Sequence, residues 1–268
     1  MTAVNDDYAK IIARQERGRR RLLTQVAVVL LFILLSSYYT GLLDSERMLE
    51  GIPSIAQLMG EGIPPNFSDV GNWVVPLLDT LAMSIAGTAL AVLFSIPLGL
   101  LAARNTTPHP VVFQLARGLL NALRAIPELI MGIIFVAAVG FGALPGVLAL
   151  GFHSIGMVGK FISESVEHVD TAPIEAAHAA GATRFQVITH GVLPQVLPQI
   201  ADVTIYRWEY NFRASTVMGM VGAGGIGFEL MSSLRLMRYD EVSAILLVIL
   251  LMVTLVDGIG MYLRKRFK

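Results

Sequence analysis

Residues 206–216 read YRWEYNFRAST, in a region that is otherwise apolar or glycine-rich. Arg207, Glu209 and Arg213 fall close together there, with Asp202 just upstream. The chain as a whole is 54% hydrophobic and only 15% charged, with a mean hydropathy of +0.66. Soluble domains carry about a quarter charged residues, so a lipid-embedded protein is expected and these charges need a place within it. With Pro194 at a membrane boundary, Arg207 lies about 20 Å along a helix rising 1.5 Å per residue, near mid-membrane. A charge at that depth costs at least ~2.5 kcal/mol and should face the bundle interior or water.

Working outward, six apolar segments are expected to span the bilayer as helices, because lipid offers backbone groups no partners. The first is LLTQVAVVLLFILLSSYYTGLL, after a basic stretch containing Arg14, Arg17, Arg19, Arg20 and Arg21. No A-x-A site follows it, so it reads as an uncleaved span. The others cover 74–103, 117–142, 145–166, 196–220 and 241–263, the third interrupted by Arg124, Pro127 and Glu128. The basic N-terminal segment (residues 1–21) and the basic tail Arg264, Lys265, Arg266 and Lys268 place both termini in the cytoplasm. The acidic 41–72 loop then lies outside, and residues 22–268 form a single transmembrane domain. The expected fold is an all-α, polytopic membrane protein of about six transmembrane helices.

A net charge of zero supplies no global field for nucleic acid, and the absence of cysteine excludes disulfides and thiolate metal sites. His168, His178 and His190 have no metal-ligand spacing, so no metal is expected. SIGMVGKF departs from a P-loop at Ser154 and Phe161, so this chain should supply no ATPase of its own. GAGGIG matches G-x-G-x-x-G in letters only, without the strand and βαβ unit that a dinucleotide site requires. Gly219, Gly222, Gly224, Gly225 and Gly227 read instead as backbone leaving the helix, a gate or re-entrant turn, against simple close packing at a helix crossing.

On a helical wheel Asp202, Glu209 and Arg213 share a stripe, while Arg207 and Asn211 form a second one. Glu209 and Arg213 are also an i,i+4 pair in the favourable order. Two readings compete. An arginine faces a translocation cavity and meets an anion, with Asn211, Ser215 or Thr216 offering further polar groups. Alternatively, Glu209 neutralises Arg213 and the pair locks helices together.

The polar connection at about 167–195 contains EAAHAAGATRFQVITHGVLPQVLPQ. The alanines favour a short helix ended by Gly181, followed by a second element stopped at Pro194. Glu175, Ala176, Ala177, Gly181, Leu193 and Pro194 in this spacing resemble the EAA coupling loop of ABC importer permeases. Gly191 stands where that family usually has an aliphatic residue. NALRAIPELIMGIIFV, GTALAVLFSIPLGLLAARN, GMVGKFISESVEHVD and YRWEYNFRASTVMGMVGAGGIG resemble the phosphonate and phosphite branch, collinearly over roughly 75–265.

The resemblance implies a type I ABC importer permease in the bacterial cytoplasmic (inner) membrane. It implies a partnership with a second copy of itself, two ATP-binding cassette subunits and a periplasmic or lipid-anchored substrate-binding protein. ATP and Mg would belong to the ATPase, leaving this chain without cofactors and without a catalytic residue. The cargo it implies is a phosphonate, phosphite or hypophosphite-type anion. Alternatives are an importer permease for another small solute, such as an amino acid, and a proton-coupled secondary transporter relaying through Asp202, Glu209 and Arg213.

Overall fold

The computed structural model describes residues 2–267, with side chains from Arg14 to Arg266. Met1 of the basic N-terminal segment and Lys268 of the basic tail lie outside the described residues. Contacts divide the chain into two units, residues 1–61 and 62–268.

The first unit holds α1 (Thr2–Tyr39) and α2 (Ser45–Glu61). The Arg14–Tyr39 part of α1 is long and apolar enough to cross a membrane, and none of it is buried within the protomer. It runs through residue 21 without a break. Helix α2 occupies a segment expected to be an acidic loop. Its Met48, Leu49, Ile52, Ile55 and Met59 recur at helical spacing, a period that the acidic residues between them obscure.

The second unit opens with a 3₁₀ turn, Val70–Trp73, that leads into α3 (Val74–Leu101). Then come α4 (Pro110–Ala125), α5 (Glu128–Val139) and α6 (Ala143–Glu167). Helix α6 is the structural axis. Two thirds of its most apolar window is buried, against about a fifth for the last helix, and it packs along α3. The approach is close because small residues meet large ones: Gly151 lies under Leu90, and a Cβ on Gly99 would sit 2.6 Å from Ile162. Without a hydrophobic drive between helices in lipid, such interlocking supplies the attraction.

Helices α4 and α5 bend by 89° relative to each other, so the expected span over 117–142 is a broken one. Pro127 forces the break. The residue before a proline is pushed out of the helical region, and Ile126 accordingly adopts φ −84, ψ 121. His109 caps the start of α4, its Nδ1 accepting from the Val111 amide at 3.2 Å, with Pro110 in the first turn.

Beyond α6, Asp170 caps α7 (Thr171–Ala179), and Gly181 turns the chain at φ +78. A Thr183–Gln186 capping box opens α8 (Arg184–Gln186). A π-helical stretch, Val187–Val192, continues directly into α9 (Leu193–Met218). The element expected to stop at Pro194 therefore does not stop. Pro194 stands in the first turn of α9, just after the wider π-helical turn, where the change of hydrogen-bond register accommodates its missing donor.

A 3₁₀ turn (Gly219–Val221) and a glycine turn then redirect the path by 45° into α10 (Ile226–Arg235). Helix α11 (Tyr239–Phe267) closes the chain. Among the described residues, four helices can span singly, and six spans result if each bent pair counts as one.

Candidate functional site

The charged stretch of α9 lies against α6, α3 and the α4–α5 elbow on one side and α11 on the other. Arg207 is buried, with 1% of its surface exposed. Its Nε donates to Ser154 Oγ at 2.7 Å and its Nη1 to the Met157 sulfur at 3.3 Å. Ser154 donates to Asn211 Oδ1 at 3.1 Å, Asn211 Nδ2 to Thr88 Oγ1 at 2.9 Å, and Thr88 to the Ser84 carbonyl at 2.7 Å. One polar chain thus links α6 to α3 by way of α9. Buried polar groups persist only when bonded, and this chain leaves few idle.

The far side of the Arg207 guanidinium faces Glu128, which opens α5. Nη2 stands 3.8 Å from Glu128 Oε2, and neither atom has a hydrogen-bond partner. The Tyr210 ring lies under the guanidinium at 4.2 Å, and its hydroxyl donates to Glu128 Oε1 at 3.1 Å. His153 completes the elbow: its Nδ1 is 3.1 Å from the Ile126 carbonyl and its Nε2 is 3.9 Å from Glu128. The Ile126 carbonyl lies in the α4–α5 break, so this contact satisfies an acceptor that no helix serves.

Glu209 and Arg213 do not pair with each other. Glu209 is buried and meets Arg264 of α11, at 2.8 Å and 3.1 Å for the two oxygens. Arg213 is 43% exposed and meets Asp257 of α11, at 2.8 Å and 3.1 Å. The i,i+4 register brings the two near, but the α9–α11 packing gives each a partner on the neighbouring helix. Asp202 stays exposed.

The two hydroxyls are spent locally. Ser215 donates to the Phe212 and Thr80 carbonyls, and Thr216 to the Arg213 carbonyl at 2.7 Å. Gly260 lies directly under the Glu209 carboxylate, where a Cβ would overlap it. Gly260→Ala is therefore expected to displace Glu209 from Arg264 and cost about 1–3 kcal/mol. In thermal unfolding of the purified protein, the loss should shrink in a Glu209→Ala background. Additive losses would contradict it.

Gly222, Gly224 and Gly225 take φ of +101, +74 and +73, values that side chains resist. Gly227 and Gly219 serve close approach instead: a Cβ on Gly227 would overlap the Thr216 carbonyl, and one on Gly219 would sit 2.6 Å from Gly224 O and Phe228 N. The turn is anchored by Gly142 N to Gly222 O at 3.2 Å and by Ile226 N to Thr80 Oγ1 at 2.9 Å.

In the α7–α9 region, Glu175, Ala176 and Gly181 are exposed and Ala177 is half-buried. Asp170 and Gln195 exchange hydrogen bonds, backbone amide to Oε1 at 3.0 Å and Nε2 to carbonyl at 3.3 Å, tying the start of α7 to α9. Gly191 is buried beside Ile174, and a Cβ there would be in ordinary contact at 3.5 Å. Leu193 and Pro194 occupy the first turn of α9.

Sequence reasoning missed Glu128, His153, Tyr210, Ser154 and Thr88 around Arg207, and Asp257 and Arg264 on α11. Glu128 carried a signal, an acid directly after a proline inside an apolar segment. Ser154 and Thr88 carried none, since single hydroxyls are common in transmembrane helices.

Comparison with known proteins fits this architecture. The phosphite transport system permease protein PtxC of Stutzerimonas stutzeri is 71% identical over 251 residues, 94% of this chain and 91% of that one. The phosphate-import permease protein PhnE of Mycolicibacterium smegmatis is 41% identical over 218 residues, 81% of this chain but only 41% of that longer one. An inward-facing structure of the MetNI methionine ABC transporter superposes at a TM-score of 0.64 with 21% identity, covering 73% of this chain and 96% of that one, and carries the fold alone. Residues 95–268 match the family model of the binding-protein-dependent transport system inner membrane component. With its buried polar chain, broken spans and glycine turn, this multi-pass membrane permease belongs to the family of inner membrane components of binding-protein-dependent transport systems.

Proposed function

We propose that the chain is the permease of an ATP-driven importer of phosphite-type oxyanions, working as a homodimer with two separate ATPase subunits and a substrate-binding protein. The carrying observation is the 71% identity to a phosphite permease over nearly the whole length of both chains. Cargo crosses by alternating access, with both termini and the α7–α9 region on the cytoplasmic side, as the positive charges favour. Helix α7, with Glu175, Ala176 and Ala177 on its surface and Gly181 after it, docks the ATPase. Leu193 and Pro194 join that docking element to α9.

Arg207, Glu209, Asn211 and Ser215 are the buried frame of the pathway wall, each committed to partners within the protomer. Arg213 and Thr216 lie at its margin. The glycines 222, 224, 225 and 227 form the gate that turns α9 into α10.

The test is reconstitution of the complete complex in proteoliposomes, with uptake of phosphite, methylphosphonate and methionine compared. ATP- and binding-protein-dependent accumulation of phosphite is expected; accumulation of methionine alone overturns the reading. Glu175→Arg should lower uptake by roughly tenfold or more while ATP hydrolysis continues, because it places a wrong charge in the docking surface. Unchanged uptake would remove α7 from the coupling path.

A further inference from the structure

A third arginine, outside the charged stretch, lies at the same level of the helical bundle. Arg124 occupies the last turn of α4, one turn before Glu128. It is exposed, and among the described residues no hydrogen bond, ion pair or ring contact reaches its guanidinium. Arg207, Arg213 and Arg264 by contrast all have carboxylate partners.

Its depth follows from packing. A Cβ added to Gly156 would sit 2.7 Å from the Arg124 amide nitrogen and 2.7 Å from the Leu120 carbonyl, so α4 crosses α6 there. Gly156 is near the middle of α6, two residues from the Ser154 that holds Arg207. Arg124 is therefore neither at a membrane boundary nor within easy reach of one. An unpaired guanidinium at that depth is tolerated against water or a counter-charge, not against acyl chains.

The backbone beside it gives a second, independent indication. Ile126 and Pro127 form the non-helical break of the 89° elbow, and both are exposed. Irregular backbone at membrane depth persists only when buried in protein or lining a water-filled cavity. His153 and the Met131 amide meet the Ile126 and Pro127 carbonyls, yet both residues are exposed rather than covered by the chain, which leaves the cavity as their setting. The exposed side chains of the elbow are mixed: Asn121 on α4 is polar, Ile126, Leu129 and Ile130 are apolar, and on α6 Lys160 and Glu164 form a partly exposed pair at 3.7 Å, beginning one turn beyond Gly156.

We propose that the α4–α5 elbow lines the translocation cavity and that Arg124 is the guanidinium that a tetrahedral oxyanion meets midway across. This inference rests on the importer reading for its cargo, though not for the accessibility of the face. A planar fork of N–H donors suits two oxygens of such an anion, which lysine matches only as a point charge. Glu128, one turn away and already shared by Arg207 and Tyr210, trims the local positive field, so the anion is met and released rather than held. In a two-fold complex each copy supplies one such arginine.

The chain contains no cysteine, so Arg124→Cys introduces a single thiol. In the complete complex in proteoliposomes, that thiol is expected to react with a membrane-impermeant, negatively charged thiosulfonate. Phosphite delivered by the binding protein with ATP should slow the reaction several-fold. Phosphite uptake should fall by about tenfold or more, the effect of losing a charge-assisted hydrogen bond, and Arg124→Lys should recover part of it. Ile126→Cys, on the same exposed face, gives the accessibility reading if Arg124→Cys fails to assemble.

Labelling by a lipid-soluble maleimide only would overturn the proposal by placing the face in lipid. Cross-linking to a second copy without reagent access would make it a dimer contact, and normal uptake by Arg124→Cys would remove Arg124 from the path. If the wild-type complex carries a different solute, the cargo assignment fails. Labelling protected by that solute would still place Arg124 in the cavity.

Discussion

Arg207→Ala is expected to destabilise the permease by about 2–4 kcal/mol, somewhat below the cost of breaking a fully buried ion pair because Glu128 is partly exposed. The guanidinium is 1% exposed and serves Ser154, Met157, Tyr210 and Glu128 at once. Its removal leaves the partly exposed Glu128 carboxylate without its counter-charge, and takes from Ser154 the donor that orients its own bond to Asn211. The measurement is thermal unfolding of the purified permease in detergent, alongside the yield of assembled complex. Arg207→Lys should rescue little, because an ammonium cannot reproduce the Nε and Nη geometry. Arg213→Ala provides the contrast: its pair with Asp257 is about two-fifths exposed on both sides and should cost no more than about 1 kcal/mol. If both variants melt alike, the polar chain is not what holds α9 to α6.

Gly227→Ala should be at least as damaging, for a steric reason. A Cβ at Gly227 would overlap the carbonyl oxygen of Thr216, and the Gly219 Cα lies only 3.3 Å away. Both obstacles are backbone, so no rotamer change relieves them, and α10 must move away from the end of α9. Overpacking of this kind costs about 1–3 kcal/mol where side chains can yield, and more is expected where they cannot. The expected result is a complex that loses uptake and becomes sensitive to proteolysis in the turn. Gly258→Ala is the matched control, since nothing lies within 4 Å of a Cβ there. Wild-type uptake by Gly227→Ala would show that the turn tolerates a wider separation than its packing implies.

The all-helical, multi-spanning fold was legible because its signal is local: long apolar windows and few charges identify spans one at a time. Angles between elements were not. Pro127 announced a break, yet nothing in the sequence distinguishes a gentle kink from one of 89°. Pro194 was misread because a proline that ends a helix and one that begins a helix look alike when a loop adjoins it. The charged stretch shows the same boundary between local and distant information. Helical periodicity separated Arg207 from Glu209 and Arg213, but it could propose partners only within α9. The actual partners of Glu209 and Arg213 lie on α11, across the fold, and the actual setting of Arg207 comes from α6 and the elbow. The coupling-loop residues were found as a pattern. That Gly191 sits inside a π-helical stretch beneath Ile174 required the packing.

The uninterrupted passage from α8 through the π-helical stretch into α9 has a mechanical consequence. Residues Arg184–Val221 form a single rod, and its α9 portion alone, 26 residues, is about 39 Å long at 1.5 Å per residue. A rod of that length works as a lever. Tilting it by about 5° at the end near α7 swings the glycine turn by roughly 3 Å, about the length of a hydrogen bond. The π-helical stretch and Pro198 are the two places along it where bending absorbs part of a stroke, and the helix beyond Pro198 moves as one piece.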